Sequence, residues 1–144
     1  MENKLMRTDG GALLLKEIGE IEKCNGLTEK FGLALSKEQI RNLMEKRREA
    51  LKNTGRVEFG GGILKKLITE FCDSPYIDQE SYEETLLELQ DIFYYFKNES
   101  LDSIADDDLL RLMKKSFDGQ CEGSLEYLRE TSLEEMCRAF RFRL

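Results

Sequence analysis

No histidine occurs anywhere in the 144-residue chain, and that absence excludes more chemistry than any residue present suggests. Histidine is the usual general base, a common metal ligand and the side chain that titrates near neutral pH. Ser-His and Cys-His nucleophile systems are therefore ruled out, as are helical-bundle iron sites that need histidine. Pro75 is the only proline, so a single position in the chain forbids helix continuation outright. No apolar run is long enough to suggest a transmembrane helix. The opening MENKLMRTDGGALLLKEIGE lacks both the sustained apolar stretch and the small-residue cleavage site of a signal peptide. A cytoplasmic protein is expected. Cysteines are few: Cys24, Cys72, Cys121 and Cys137 form no CxxC pair. In a reducing compartment they read as free structural thiols, with a four-thiolate zinc site or a reactive thiol as the competing readings.

What is present is a helical composition. Hydrophobic residues make up 40% and charged residues 35%, with both signs interleaved, as solvated helix surfaces require. The length suits one domain, residues 1–144, able to bury a core without disulfides or metals. A net charge of -7 and a pI near 4.8 make the surface repel nucleic acid and anionic membranes. The partner expected is another protein or a second copy of the chain; no nucleic acid, membrane, metal or cofactor is expected.

Periodicity places the helices. Leu14, Ile18, Ile21, Cys24, Thr28 and Phe31 recur at steps of three and four, predicting a first helix from about Asp9 to Phe31 with a possible break at Asn25-Gly26 and a stop at Gly32. Ser36-Lys37-Glu38-Gln39 is a capping box opening a second helix that Gly55 ends. Its inner stripe is Ile40, Leu43, Met44, Arg47 and Leu51, and Glu45 and Glu49 pair by spacing with neighbouring basic residues. A third helix is predicted from about Ile63 to Asp73, ended by Pro75. Asp78 is expected to cap a fourth helix, about 79–98, whose Tyr82, Leu86, Leu89, Phe93 and Phe96 form one stripe. Leu87, Ile92, Tyr94 and Tyr95 widen that stripe until the second half is apolar nearly all round, the mark of a central helix. The Tyr94 and Tyr95 hydroxyls then need partners or water.

A fifth helix begins at Asp106-Asp107-Asp108 and stops at Gly119. Ala105 stands where a capping side chain belongs, so Ser103 or an aspartate is expected to serve. Ser124–Glu130 reads as a short helix, and Thr131 or Ser132 caps a last one. The end, Arg138-Ala139-Phe140-Arg141-Phe142-Arg143-Leu144, alternates from Phe140 onward. Continuation of the helix is favoured over a strand paired with Val57-Glu58-Phe59 and over a frayed tail.

Three motifs invite chemistry. Gly60, Gly61 and Gly62, followed by Lys65 and Lys66, resemble an anion cradle, but the P-loop spacing is absent. Glu80-x-x-Glu83 and Glu99-x-x-Asp102 resemble the paired acidic motifs of all-α nucleotide pyrophosphohydrolases. A rise of about 1.5 Å per residue separates Glu80 from Glu99 by roughly 28 Å, too far to share a magnesium ion. Glu88 and Asp91 repeat the spacing without a partner. Lys46, Arg47, Arg48, Lys52 and Arg56 make the second helix basic, without the interleaved aromatics of a nucleic-acid face. The polar residues around the third helix form the candidate ligand site: Arg56, Glu58, Gly60, Gly61, Gly62, Asp73, Tyr76 and Asp78. The competing reading makes them salt bridges and caps that lock the helix junctions. No residue is singled out as catalytic or metal-binding.

The segments GRVEFGGG, FCDSPYID, FYYFKNES and GSLEYL resemble a family of small uncharacterised proteins, a domain of unknown function, from anaerobic Gram-positive bacteria. The resemblance runs from Leu33 to Cys137. It implies a bacterial cytoplasmic protein and carries no activity. The expected fold is all-α: a single-domain irregular bundle of six or seven helices around the 79–98 helix. The expected function is a non-catalytic protein-interaction module, self-association included. The alternative is a small-molecule-binding protein or enzyme using the polar cluster at 56–78.

Overall fold

Local sequence signals set most of the helix ends. The computed structural model describes residues 14–58, 62–131, 133 and 137. Helix α1 covers 14–22, and a turn at Lys23 and Cys24 separates it from the short α2, Asn25–Thr28, and a 3-10 turn, Glu29–Phe31. The break thus falls two residues before the predicted Asn25-Gly26, because Asn25 has another task. Its side-chain amide donates to Leu35 O at 2.9 Å and accepts from Leu35 N at 2.8 Å, pinning the connection to the next helix.

Helix α3, Lys37–Thr54, opens with the predicted capping box: Ser36 Oγ accepts from Gln39 N and Gln39 Oε1 accepts from Ser36 N. Helix α4 is Ile63–Phe71, α5 Tyr82–Glu99, α6 Asp106–Asp118 and α7 Leu125–Arg129. Ser124 caps α7 through Tyr127 N. Leu133 and Cys137 are helical, and Thr131 Oγ1 accepts from Leu133 N. The predicted readings of 139–144 lie outside the described residues. Among the described residues there is no strand, and the fold is an all-α bundle.

Helix α5 is central, packing against α3, α4, α6 and α7. Tyr82, Leu86, Leu89, Ile92, Phe93 and Phe96 are all essentially without solvent contact. Two expectations about its surroundings fail. Asp78 does not cap α5. Its carboxylate accepts from Ser81 N and Ser81 Oγ, both at 2.9 Å, closing a turn one step earlier and holding its pKa below the ordinary value through those bonds. α6 begins at Ala105 with no capping side chain; Ser103 Oγ donates instead to Ser100 O at 2.6 Å. The three aspartates of its first turn remain to meet the positive helix end.

Three chain reversals share one hydrogen-bond pattern. Gly32 N donates to Glu29 O and Leu33 N to Thr28 O; Gly55 N donates to Lys52 O and Arg56 N to Leu51 O; Leu101 N donates to Asn98 O and Asp102 N to Lys97 O. This is the Schellman motif, whose turning residue must adopt the left-handed conformation. Gly32 and Gly55 do so at φ 76 and 69. At the end of α5 the turning residue is Leu101, at φ 52, followed by Asp102 at φ 63.

Candidate functional site

The predicted polar cluster divides among three places. Gly60 and Gly61 lie outside the described residues. Asp78 serves the turn before α5. Asp73 and Tyr76 belong to the packing of α6: Lys114 Nζ bridges Asp73 at 2.7 Å and Asp118 at 2.8 Å, and Asp118 accepts from Ser74 Oγ at 2.6 Å. Burial works against the Lys114 charge, but the hydrogen bonds it donates to Asp118 and Asp73 outweigh it and raise its pKa. Tyr76 packs edge-on against Phe117, with ring centres 6.3 Å apart, and a Cβ at Gly123 would overlap the Tyr76 side chain at Cβ and Cγ.

Arg56, Glu58 and Gly62 stay together, and their partners come from elements distant in sequence. Arg47, buried on the inner stripe of α3, donates through Nε to Glu58 Oε1 at 3.1 Å. The same oxygen accepts from Tyr94 Oη of α5 at 2.8 Å. Burial first, and the adjacent Glu58 second, push the Tyr94 phenol well above its ordinary pKa, so it stays a donor. Gly62 precedes α4 at φ 57, and a Cβ there would overlap both the Glu58 carboxylate and the Arg47 guanidinium. At Gly62, where the glycine run resembles an anion cradle, the backbone instead packs closely against the chain's own Glu58 carboxylate and Arg47 guanidinium.

Arg56 ties the end of α3 to the end of α5. Nε and Nη2 donate to Asn98 Oδ1 at 3.1 and 2.8 Å, and Nη1 meets Asp102 Oδ1 at 2.5 Å. Lys97, buried, donates to Ile104 O and pairs with Asp106 at 2.7 Å. Arg56, Lys97, Asn98, Asp102 and Asp106 line a cleft of about 540 Å³ whose walls include Thr54, Val57, Phe93 and Leu101. Its volume lies in the range of small-ligand sites. Each charged side chain lining it (Arg56, Glu58, Lys97, Asp102, Asp106) already has a partner within the chain. Val57 and Leu101, by contrast, are 77% and 66% exposed.

Arg56→Ala is expected to lower stability by about 1–2 kcal/mol, since three charge-assisted contacts are lost but the site is partly solvated. Thermal melts of wild type and variant, with and without a small-molecule library, check this. An unchanged melting point together with a lost ligand response would make Arg56 a binding residue instead.

Sequence reasoning missed Tyr94, Asn98 and Asp102 as partners of this site. One signal was available: an arginine on a buried helix stripe requires a carboxylate, and Glu58 is the nearest acid in the following loop. All four cysteines are buried, and burial raises the pKa of Cys24 and Cys72, the opposite of a reactive thiol. Among the described residues no group of three or more side chains is placed to hold a metal ion, and no helix is long and apolar enough to cross a membrane.

These features define a helical domain with an internally neutralised cleft. The chain belongs to a family of unknown function, DUF6323, which matches residues 20–144. No curated protein and no solved structure matches it.

Proposed function

We propose that this protein is a non-catalytic interaction module of the bacterial cytoplasm whose contact surface is the mouth of the Arg56 cleft. The observation that carries this reading is Leu101. A left-handed backbone costs a branched residue roughly 1–2 kcal/mol, which glycine avoids, and the chain does place glycine at the two equivalent helix ends. Leu101 recovers little by burial, being mostly exposed. Val57, on the same cleft, is more exposed still. Two aliphatic side chains held in solvent, one of them at a cost in backbone strain, are explained by contact with another molecule. The prior pairing of each charged lining group argues against proton transfer or anion capture in the cleft.

It follows that Leu101→Asn should stabilise the isolated protein by up to about 1 kcal/mol, because asparagine tolerates the left-handed region and little buried area is lost. Urea denaturation measures it. A clear loss of stability would show that Leu101 serves the fold and would remove the main support for the contact surface.

The contact itself is tested by placing a photo-crosslinking amino acid at Val57 in the producing cell. One discrete adduct is expected, lost when Leu101→Asn is added and absent when the crosslinker stands at exposed Lys37. Absence of any adduct at Val57 overturns the proposal. The alternative, a small-molecule binder or enzyme, draws on the cleft volume alone; Asp73, Tyr76 and Asp78 lie away from that cleft.

A further inference from the structure

We infer that Arg56 is the positioning residue that holds Leu101 at the cleft mouth; this rests on the contact surface proposed above and concerns what keeps that surface formed. Leu101 and Asp102 are consecutive left-handed residues, at φ 52 and 63. Residues with a Cβ avoid that region, so both are drawn out of the turn. The local hydrogen bonds supply no more here than elsewhere. Leu101 N to Asn98 O and Asp102 N to Lys97 O match, bond for bond, those at the two ends that use Gly32 and Gly55, where glycine leaves no strain to offset. The end of α5 needs a further contact, and Arg56 supplies it.

One guanidinium grips both sides of the reversal. Nε and Nη2 hold Asn98 Oδ1 in the last turn of α5, and Nη1 holds Asp102 Oδ1 beyond it. Among the described residues, no other hydrogen bond or ion pair reaches Leu101 or Asp102 from outside the 97–103 segment. Arg56 is a fixed anchor, because its own N–H donates to Leu51 O at 2.9 Å in the turn that closes α3. The chain after the reversal is tied down separately: Lys97 reaches Ile104 O and Asp106, and Ile104 is buried. The stretch that Arg56 controls is therefore short, and Leu101 stands within it. Releasing the guanidinium lets residues 101 and 102 leave the left-handed region, and Leu101 then leaves the rim of the cleft.

Amide exchange and backbone carbon chemical shifts, read by NMR on the purified full chain, test it. Arg56→Ala should quicken exchange at Leu101 and Asp102 at least about tenfold beyond any change at core amides, and move their shifts away from left-handed values. Adding Leu101→Gly should slow the Asp102 amide again by about threefold or more, because glycine holds the turn without strain. Arg56→Gln, which keeps the aliphatic stem, carries the same expectation if Arg56→Ala fails to accumulate. Glu122, left-handed at φ 47 but not bonded to Arg56, is the internal control and should not respond. Exchange at Leu101 and Asp102 that only follows the core amides, an equal response at Glu122, or a double variant no slower than Arg56→Ala alone overturns the inference and leaves Arg56 a general tie between α3 and α5. The isolated chain is measured, so the outcome is separable from the crosslink at Val57. A turn indifferent to Arg56 removes this inference and leaves the contact surface standing, whereas a missing Val57 adduct removes the contact surface and leaves the clasp.

Discussion

Phe93→Ala should cost about 3–5 kcal/mol of stability, the range for emptying the space of a fully buried phenylalanine. Phe93 has no solvent exposure, stacks edge-on with Tyr94 at 5.3 Å between ring centres, and forms the base of the Arg56 cleft. Its helix touches α3, α4, α6 and α7, so the surrounding side chains are held from several directions and collapse poorly into the space left. Folded domains of this size have total stabilities of roughly 5–15 kcal/mol, so the variant should melt far below wild type or fail to accumulate. Urea unfolding followed by far-UV circular dichroism gives the number. If accumulation fails, Phe93→Leu should be recoverable at a smaller loss. A loss under about 1 kcal/mol for Phe93→Ala would place the ring at the periphery and displace α5 from the centre of the fold.

The second large effect is expected at Gly62. Gly62→Ala should destabilise by about 2–4 kcal/mol, combining a backbone conformation that side-chain-bearing residues avoid with the loss of a buried ion pair. The dihedrals there are φ 57 and ψ -138, a region essentially reserved for glycine. The new methyl group would also have to displace the Glu58 carboxylate, the Arg47 guanidinium, or both. Separating them takes the Glu58 carboxylate from both Arg47, buried on α3, and the Tyr94 hydroxyl, which burial already keeps protonated. Two measurements distinguish the causes. Denaturation gives the total loss. Glu58→Gln in the wild-type background removes the charge while keeping the shape and should account for part of it. If Gly62→Ala costs less than about 1 kcal/mol, the loop re-routes freely and the Arg47–Glu58–Tyr94 cluster is not a fixed element of the fold.

Most of the helical framework was legible in the sequence because helix ends are local. The capping box at Ser36 and the stops at Gly32, Gly55 and Gly119 involve partners within a few residues, and the structure realises each of them. The central position of α5 was legible for a similar reason: a helix apolar on nearly every side has to be enclosed, whatever encloses it. The errors came where a side chain turned away from its own helix. Asn25 broke the expected boundary by reaching ten residues along the chain to Leu35, and Asp78 closed a turn with Ser81 instead of capping α5.

The candidate site was partly legible, and the remainder depended on long-range approach. Periodicity and residue type identified Arg56, Glu58 and Gly62 as neighbours of a junction. They contained nothing that selects Asn98 and Asp102 for Arg56, 42 and 46 positions away, or Tyr94 for Glu58, 36 positions away. Those pairings arise because α5 crosses α3 and ends beside the 56–58 segment, a consequence of packing both apolar stripes into one core. Composition, hydrophobic period and short-range capping therefore determined an all-α fold with α5 at its centre and no histidine chemistry. The tertiary structure alone decided that the charged residues of the junction neutralise one another, that Asp73 and Tyr76 serve α6, and that a leucine stands exposed where a glycine would be easier. Local free energies set helix limits, whereas which charges meet depends on how the buried faces fit together.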